Sequence, residues 1–532
     1  MSKLSERCIL AIDLGTSGAK VGVISTHGRI FEHAFEGVGT KILPDGGAEQ
    51  DPDEWWTALK KAWGKILRKK SFKPEQVDAI CCTGQWSGTV AVDRDGKPLM
   101  NAIIWMDSRG ARYINDLTGG LIRVSGYGVF KLPRWIRLTG GIPAHSGKDS
   151  IAHILFIKNA FPDIYSGTYK FLEPKDYLNL RLTGRFAATY DSIALHWVTD
   201  NRDISHIHYD RNLLKHSGVD PDKLPELIGA CDVLGTLRKD VAEELGLHQS
   251  VKVIGGTPDM HSAAIGSGAV RDYEGHLHIG TSSWLICHVP FKKTDVFHNM
   301  ASLPSALPGR YFVANEQETA GACLDFLGNA LITEMGTDKT RGFIPLRVKR
   351  EGYYALFNEA AGSIPPGSGG VIFTPWLYGE RTPVENSTLR GSFFNLSLDT
   401  TWQHLVRAVF EGVAYNSRWL LRHVERFTGK MMEGLRMIGG GARSELWCQI
   451  HADVLNRSVY QVEEPAMSNL RGAAFLASIA LGHLNVEDIP GCVPVAKVFT
   501  PDKANSPVYE GLYDEFIRFY KKVKGIYSRL NG

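Results

Sequence analysis

The segment Asp13-Leu14-Gly15-Thr16-Ser17-Gly18-Ala19-Lys20 joins a carboxylate to a run of small residues. An aspartate at a strand end can hold Mg²⁺, mostly through water, because that ion keeps much of its hydration. Asp13 is thus the candidate metal ligand, and Thr16 and Ser17 offer amides and hydroxyls to a phosphate. A hairpin turn chosen for backbone geometry explains this segment equally well when it is taken singly. A second turn of the same kind, Gly280-Thr281-Ser282, shifts the balance, since two such turns can close on one nucleotide from both sides.

The stretch 253–266 is the most informative. Gly255 and Gly256 end an apolar run, Pro258 fixes the local φ, and Asp259 opens a helix of small residues. A helix cap is the bland reading of Asp259. Its place near a domain boundary favours catalysis, because clefts between domains bind small ligands. The amides of the helix N-terminus are expected to keep its carboxylate ionised at neutral pH. Further on, Gly439-Gly440-Gly441-Ala442-Arg443-Ser444 follows the apolar run 435–438 and opens another helix, a corner where a flat ring or a phosphate can approach the backbone. It is not the G-x-G-x-x-G dinucleotide pattern, and close strand–helix packing competes as its explanation. Phosphoryl transfer needs in-line positioning, a cation on the phosphates and a carboxylate to take the hydroxyl proton. These residues offer each part.

The elements that must position them are short strands and late helices. Residues 8–25 read as strand, tight turn, strand; a third strand covers 29–37, and Asp51-Pro52-Asp53-Glu54 opens a helix with acids at its positive end. Residues 77–83 form a short buried strand. The unit recurs half a chain later, where 275–279 leads into Gly280-Thr281-Ser282 and then 284–289, which predicts a duplicated architecture. Apolar residues at three- and four-residue spacing predict helices over 401–427, 443–455, 470–480 and 509–530. Pro/Gly/Ser-rich stretches at 303–309 and 363–370 read as surface loops. With 532 residues the chain is expected to divide into two domains of roughly 250 residues, at 1–253 and 254–532.

The balance of 60 Lys+Arg against 57 Asp+Glu gives no sign of a nucleic-acid or membrane partner. Eight scattered cysteines without C-x-x-C spacing read as reduced thiols. The polar residues 1–7 lead straight into a strand-like run, so a signal peptide is not expected; with no apolar run approaching roughly 18 residues, a cytoplasmic location is expected.

At this point the residues resemble the FGGY family of carbohydrate kinases, and within it the xylulose kinases. The likeness is carried by 13–20, Glu49-Gln50-Asp51-Pro52, Trp55-Trp56, Gly84-Gln85, Pro174-Lys175-Asp176-Tyr177-Leu178, Gly255-Gly256 with Asp259, Gly280-Thr281-Ser282, Gly379-Glu380-Arg381-Thr382-Pro383 and 439–447. The resemblance implies an α/β fold of two actin-like, ribonuclease-H-like domains, the first binding sugar and the second nucleotide, with the ligands in the cleft between them. It further implies ATP and Mg²⁺ as cofactors and a small sugar or polyol as acceptor. Residue by residue, it implies that Asp259 is the general base and Asp13 the metal residue. Thr16, Ser17, Gly280 and Thr281 would contact phosphates, Gly440, Gly441 and Ala442 would line the adenosine site, and Gln85, Trp86, Ser87, Asp259 and Met260 would meet the sugar.

The chain departs from that pattern on the sugar side. Trp86-Ser87 stands where Met-His is usual, and Met260 stands where Asn is usual, so these three residues are expected to set sugar choice. Trp86 reads equally as sugar-stacking or core. His261 reads as hydrogen-bonded structure, and Asp107 with Arg109 as a surface ion pair. A pentulose is the first acceptor expected, with another sugar or a polyol behind it. An actin-like ATPase using water as acceptor, or a sugar sensor without kinase activity, are the rivals from other classes. A homodimer is compatible with all of these.

Overall fold

Two sheets of the same plan frame the protein in a computed structural model that describes residues 6–124, 126–329 and 350–532. The first begins as an antiparallel meander of β1 (Cys8–Gly15), β2 (Gly18–Ser25) and β3 (Ile30–Gly37). Helix α1 (Pro52–Arg68), whose cap Asp51 accepts from the Asp53 amide, leads to β4 (Val77–Gly84), parallel to β1. Helices α2 (Ser150–Ala160) and α3 (Pro174–Thr183) precede β5 (Val233–Thr236) and β6 (Lys252–Pro258). The order is β5-β6-β4-β1-β2-β3, with β6 parallel to β4 and β5 antiparallel to β6.

After α4 (Asp259–Ser267) the plan repeats. Strands β7 (Gly275–Ile279) and β8 (Ser283–Val289) pair as a hairpin, and β9 (Thr294–Asp295), β10 (Met300–Pro304) and β11 (Tyr311–Ala314) extend the sheet beyond β8. Helix α5 (Trp402–Thr428) precedes β12 (Gly434–Ile438), α6 (Glu445–Leu455), β13 (Ser458–Val462), α7 (Ser468–Ala480), β14 (Val495–Phe499) and α8 (Ser506–Asn531). The order β11-β8-β7-β12-β13-β14 matches β3-β2-β1-β4-β6-β5 strand for strand, including the sense of every pairing. The duplication expected from the two Gly-Thr-Ser turns is therefore a duplication of whole sheets.

Alternation along β1 explains the layering. Cys8, Leu10 and Ile12 face one core with Trp55 and Leu59 of α1, while Ile9 and Ala11 face another with Leu470 and Phe475 of α7. That second core also takes Ile286, Ile438 and Val462 from the second sheet, so α4 and α7 form a layer between the sheets. Helices α5, α6 and α8 cover the far face of the second sheet. Where α4 and α7 cross, a Cβ on Gly266 would lie 1.8 Å from the Ser468 carbonyl oxygen and one on Gly472 1.9 Å from that of Ser262. Backbone meets backbone there, and Ser262 Oγ donates to the Asn469 carbonyl at 2.6 Å.

The structure adjusts the expected boundaries. A boundary between 253 and 254 cuts β6, which is a full member of the first sheet through its pairing with β4. The 303–309 stretch is a surface loop only at its end, where Pro308 and Gly309 are exposed; Leu303 and Pro304 end β10, and Ala306 and Leu307 are buried. The 363–370 stretch is the surface loop expected, exposed at Ser363, Pro365 and Gly369 and anchored where buried Glu411 accepts from the Gly367 amide and the Ser368 hydroxyl. The predicted helix at 443–455 starts at Glu445, where the Ser444 hydroxyl accepts from the Trp447 amide at 3.0 Å. No helix among the described residues is long and apolar enough to cross a membrane.

Candidate active site

One register row crosses the first sheet as Lys20, Asp13, Thr83 and Thr257, and the next holds Leu14, Gly84 and Pro258. Asp259 follows Pro258, so it stands at the same carboxyl edge as Asp13, with the start of the 85–87 loop between their strands. Such edges are where open α/β sheets bind ligands. The delivery of Asp259 depends on a bulge, since pairing of β6 with β4 shifts register between Ile254 and Thr257. Gly256 adopts φ +71 there, and a Cβ would lie 2.0 Å from the Cys82 carbonyl oxygen, so only glycine fits. The Gly255 carbonyl accepts from Lys175 Nζ at 3.2 Å and from Asn179 Nδ2 at 2.8 Å. Lys175 is itself paired with buried Asp176. The Pro-Lys-Asp motif thus works through the backbone of the bulge.

Asp13 is buried but weakly held: Lys20 Nζ is 3.5 Å from one oxygen and Asn469 Nδ2 3.4 Å from the other. Water still reaches part of the Asp259 side chain, yet protein surrounds it closely enough to desolvate the carboxyl. Burial, then the Asp13 charge, push its pKa up to about 8; Glu316 adds to the shift, and the Met260 amide, donating at 2.8 Å, opposes it. The helix terminus therefore does not win, and the expectation of an ionised carboxylate at neutral pH fails for the ligand-free protein.

The other anticipated residues divide. Thr16 is half-buried and Ser17 exposed at the β1–β2 turn. The Thr16 hydroxyl accepts from Trp105 Nε1 at 2.9 Å and donates to Gln85 Oε1 at 3.3 Å. Gln85 is buried and also donates to Gln50 Oε1 at 2.9 Å, so its amide supports the Thr16 turn instead of facing an acceptor. Trp86 is buried, donates its indole N–H to the Ser192 carbonyl at 2.9 Å and packs edge-on against His261. It packs as a core residue. Ser87 donates to the Lys148 carbonyl at 2.7 Å. Met260 is half-buried beside Asp259. His261 has the structural role expected of it: Nδ1 accepts from the Ala306 amide at 3.3 Å, and burial pulls its pKa down to about 4. Asp107 and Arg109 are not a surface pair; Asp107 is buried and Arg109 half-buried, and they tie the Ala48 amide and Glu49 into one network.

The second sheet supplies a matching edge. Strands β7 and β12 are parallel neighbours, with Gly280 and Gly439 following their last residues. A Cβ on Gly439 would lie 2.5 Å from the Ile279 carbonyl oxygen and one on Gly441 2.4 Å from Ile279 Cγ2, whereas nothing lies within 4 Å of one on Gly440. Thr281 and Gly440 are exposed along this edge and Gly280 and Gly441 half-buried. Ala442 is different: its side chain is buried in the core and its carbonyl accepts from Gln461 Nε2 at 2.6 Å.

Sequence reasoning missed a charged group from both halves. Arg381 bridges Glu316 at 2.5 Å and Glu318 at 3.0 Å. Glu380 behind it accepts from the amides of Glu318 and Arg381 and from Asn416 Nδ2, and burial pushes its pKa up to about 8. Lys148, from the first half, lies over the Tyr378 ring at 5.3 Å. Arg381 was visible only as part of a motif, and nothing in the pattern around Lys148, Glu316 or Glu318 marked them.

Two duplicated actin-like halves, with a paired-carboxylate edge on one and a glycine-lined edge on the other, define a phosphotransferase that acts from a nucleotide. The chain belongs to the FGGY family of carbohydrate kinases: the family's N-terminal domain matches residues 8–266 and its C-terminal domain residues 276–481. A xylulose kinase of Staphylococcus epidermidis is 29% identical, with 99% of each chain covered. Among solved structures, a gluconate kinase from Lactobacillus acidophilus superposes with a TM-score of 0.84 at 22% identity, covering 99% of this chain and 100% of that one. A ligand-bound xylulose kinase from the same organism gives 0.84 at 22%, covering 98% and 100%. These two likenesses speak to the fold.

Proposed function

We propose that this ATP-dependent carbohydrate kinase phosphorylates a five-carbon ketose, D-xylulose being the first candidate, and that Asp259 takes the proton of the attacking hydroxyl. The observation that carries the role of Asp259 is its delivery by a glycine-only bulge to the carboxyl edge occupied by Asp13. A carboxyl whose pKa lies near the working pH is well matched to proton transfer. The turns at Thr16-Ser17 and Gly280-Thr281 would grip the phosphates, and the open face over Gly440 and Gly441 would take the adenosine, with Ala442 supporting it from the core. The first half holds the acceptor and the second the nucleotide.

Asp13 suits magnesium because its oxygens have only long contacts and a largely hydrated ion needs few protein ligands; no group of three or more His, Cys, Asp or Glu among the described residues forms a metal cage. Bound there, the ion supplies neutralisation of phosphate charge and favours the ionised form of Asp259. The pentulose reading is supported by the end-to-end likeness to a xylulose kinase, while Trp86, Ser87 and Met260 keep another sugar or a polyol as the second reading. Coupled ADP release across ketoses, aldoses, polyols and aldonates tests this. A ketopentose should give the highest kcat/KM; a hexose or aldonate at the top would overturn the pentulose assignment.

A pH dependence follows from the raised pKa of Asp259. The base must be ionised, so activity is lost as pH falls through the folded-state value. kcat/KM at low ATP and magnesium should fall about tenfold per pH unit below about 8 and level off above it. A flat profile from pH 6 to 9 would contradict a proton-accepting role for a carboxyl so placed.

A further inference from the structure

We infer that Lys148 is the specificity-determining residue of the acceptor site, donating to an oxygen of a neutral sugar or polyol and leaving anionic acceptors excluded. The inference rests on the kinase reading above and deepens it. Lys148 sits in the turn before α2, in the half that holds Asp259. Its backbone is seated by the 85–87 loop, because the Ser87 hydroxyl donates to the Lys148 carbonyl at 2.7 Å. That loop begins beside Pro258, in the register row next to Asp13. Its ammonium faces the opposite half, where the Tyr378 ring lies 5.3 Å from Nζ.

Its ammonium, though it faces the Tyr378 ring, keeps its N–H donors free of any described acceptor. Arg381 is held by Glu316 and Glu318, whereas Lys148 Nζ makes no hydrogen bond or ion pair among the described residues. Burial pulls the lysine's pKa down, which marks an ammonium stripped of much of its water and in want of a partner, even though the Glu318 charge works the other way.

The surroundings decide the class of partner. Glu316, Glu318, Asp149 and Glu385 stand around Arg381 and Lys148, so a carboxylate-bearing acceptor enters a region with an excess of negative charge. A hydroxyl or carbonyl oxygen meets no such repulsion and can accept from Nζ. Ser87 acts through this lysine as a positioning residue, with no donor left for the acceptor itself.

Lys148→Met keeps the apolar stem and removes the donor, and Lys148→Arg keeps a cation. With the preferred neutral ketose or polyol, the methionine variant should raise acceptor KM about tenfold to a hundredfold, the worth of one hydrogen bond to a charged group, while ATP KM stays within about twofold. The arginine variant should recover part of that loss. A deoxy analogue lacking the recognised oxygen should bind wild type and Lys148→Met alike. An acceptor KM within twofold in Lys148→Met, or acceptor and ATP KM rising together, would overturn the inference alone. A wild-type enzyme that ignores every neutral acceptor and phosphorylates gluconate would overturn both it and the pentulose reading.

Discussion

Asp259→Asn is expected to lower turnover by about a hundredfold to ten-thousandfold, the usual worth of a positioned base, with ATP binding nearly unchanged. The substitution keeps the size of the side chain and removes the proton acceptor. It should also leave the fold intact and make it more stable in alkaline solution. The folded-state pKa, about 8, lies above the ordinary 3.8, so the native state takes up a proton between those values and the wild type loses stability as pH rises through that window. Removing the carboxylate removes that loss. The Tm of the variant should therefore match the wild type near pH 4 and exceed it by several degrees above pH 8. Near-normal phosphorylation by a folded Asp259→Asn protein would reduce this residue to a helix cap.

Gly472→Ala should be among the most damaging single-methyl changes in the chain. The added carbon would stand 1.9 Å from the Ser262 carbonyl oxygen, on the neighbouring helix, and backbone cannot move aside as a flexible side chain can. Helices α4 and α7 would have to separate where they form the layer between the sheets, at a cost of about 3 kcal/mol, the upper end for overpacking. The damage should reach the site, because Asn469 lies one turn away on α7 and approaches Asp13 at 3.4 Å. Lower Tm together with a raised KM for ATP is the expected result, measured by thermal unfolding and steady-state kinetics. A variant with wild-type Tm would show that the helices yield more easily than their contact implies.

What could be read before folding was the local part of this account. The two Gly-Thr-Ser turns, each bounded by apolar strands, revealed the duplication because turn chemistry and alternation are nearest-neighbour properties. Asp13 and Asp259 stood out for the same reason, each at the end of an apolar run. The use made of a polar side chain is instead decided by what folding brings against it. Gln85 and Ser87 looked available to a sugar and are engaged by Gln50, Thr16 and Lys148, from 35 to 69 residues away. The ionisation of Asp259 turned on burial and on the Asp13 charge from another strand, against a helix-end effect that was visible locally. Lys148, Glu316 and Glu318 lie in irregular segments, where no periodicity marks a residue.

The central claim is that the two edges transfer the terminal phosphoryl group of ATP to a sugar hydroxyl and not to water. Incubation of the wild-type protein with magnesium and γ-labelled ATP, with and without D-xylulose, tests it most directly. The label should appear in a sugar phosphate, in step with ADP, only when the sugar is present. Release of label as inorganic phosphate, equal with and without any sugar or polyol, would contradict the account.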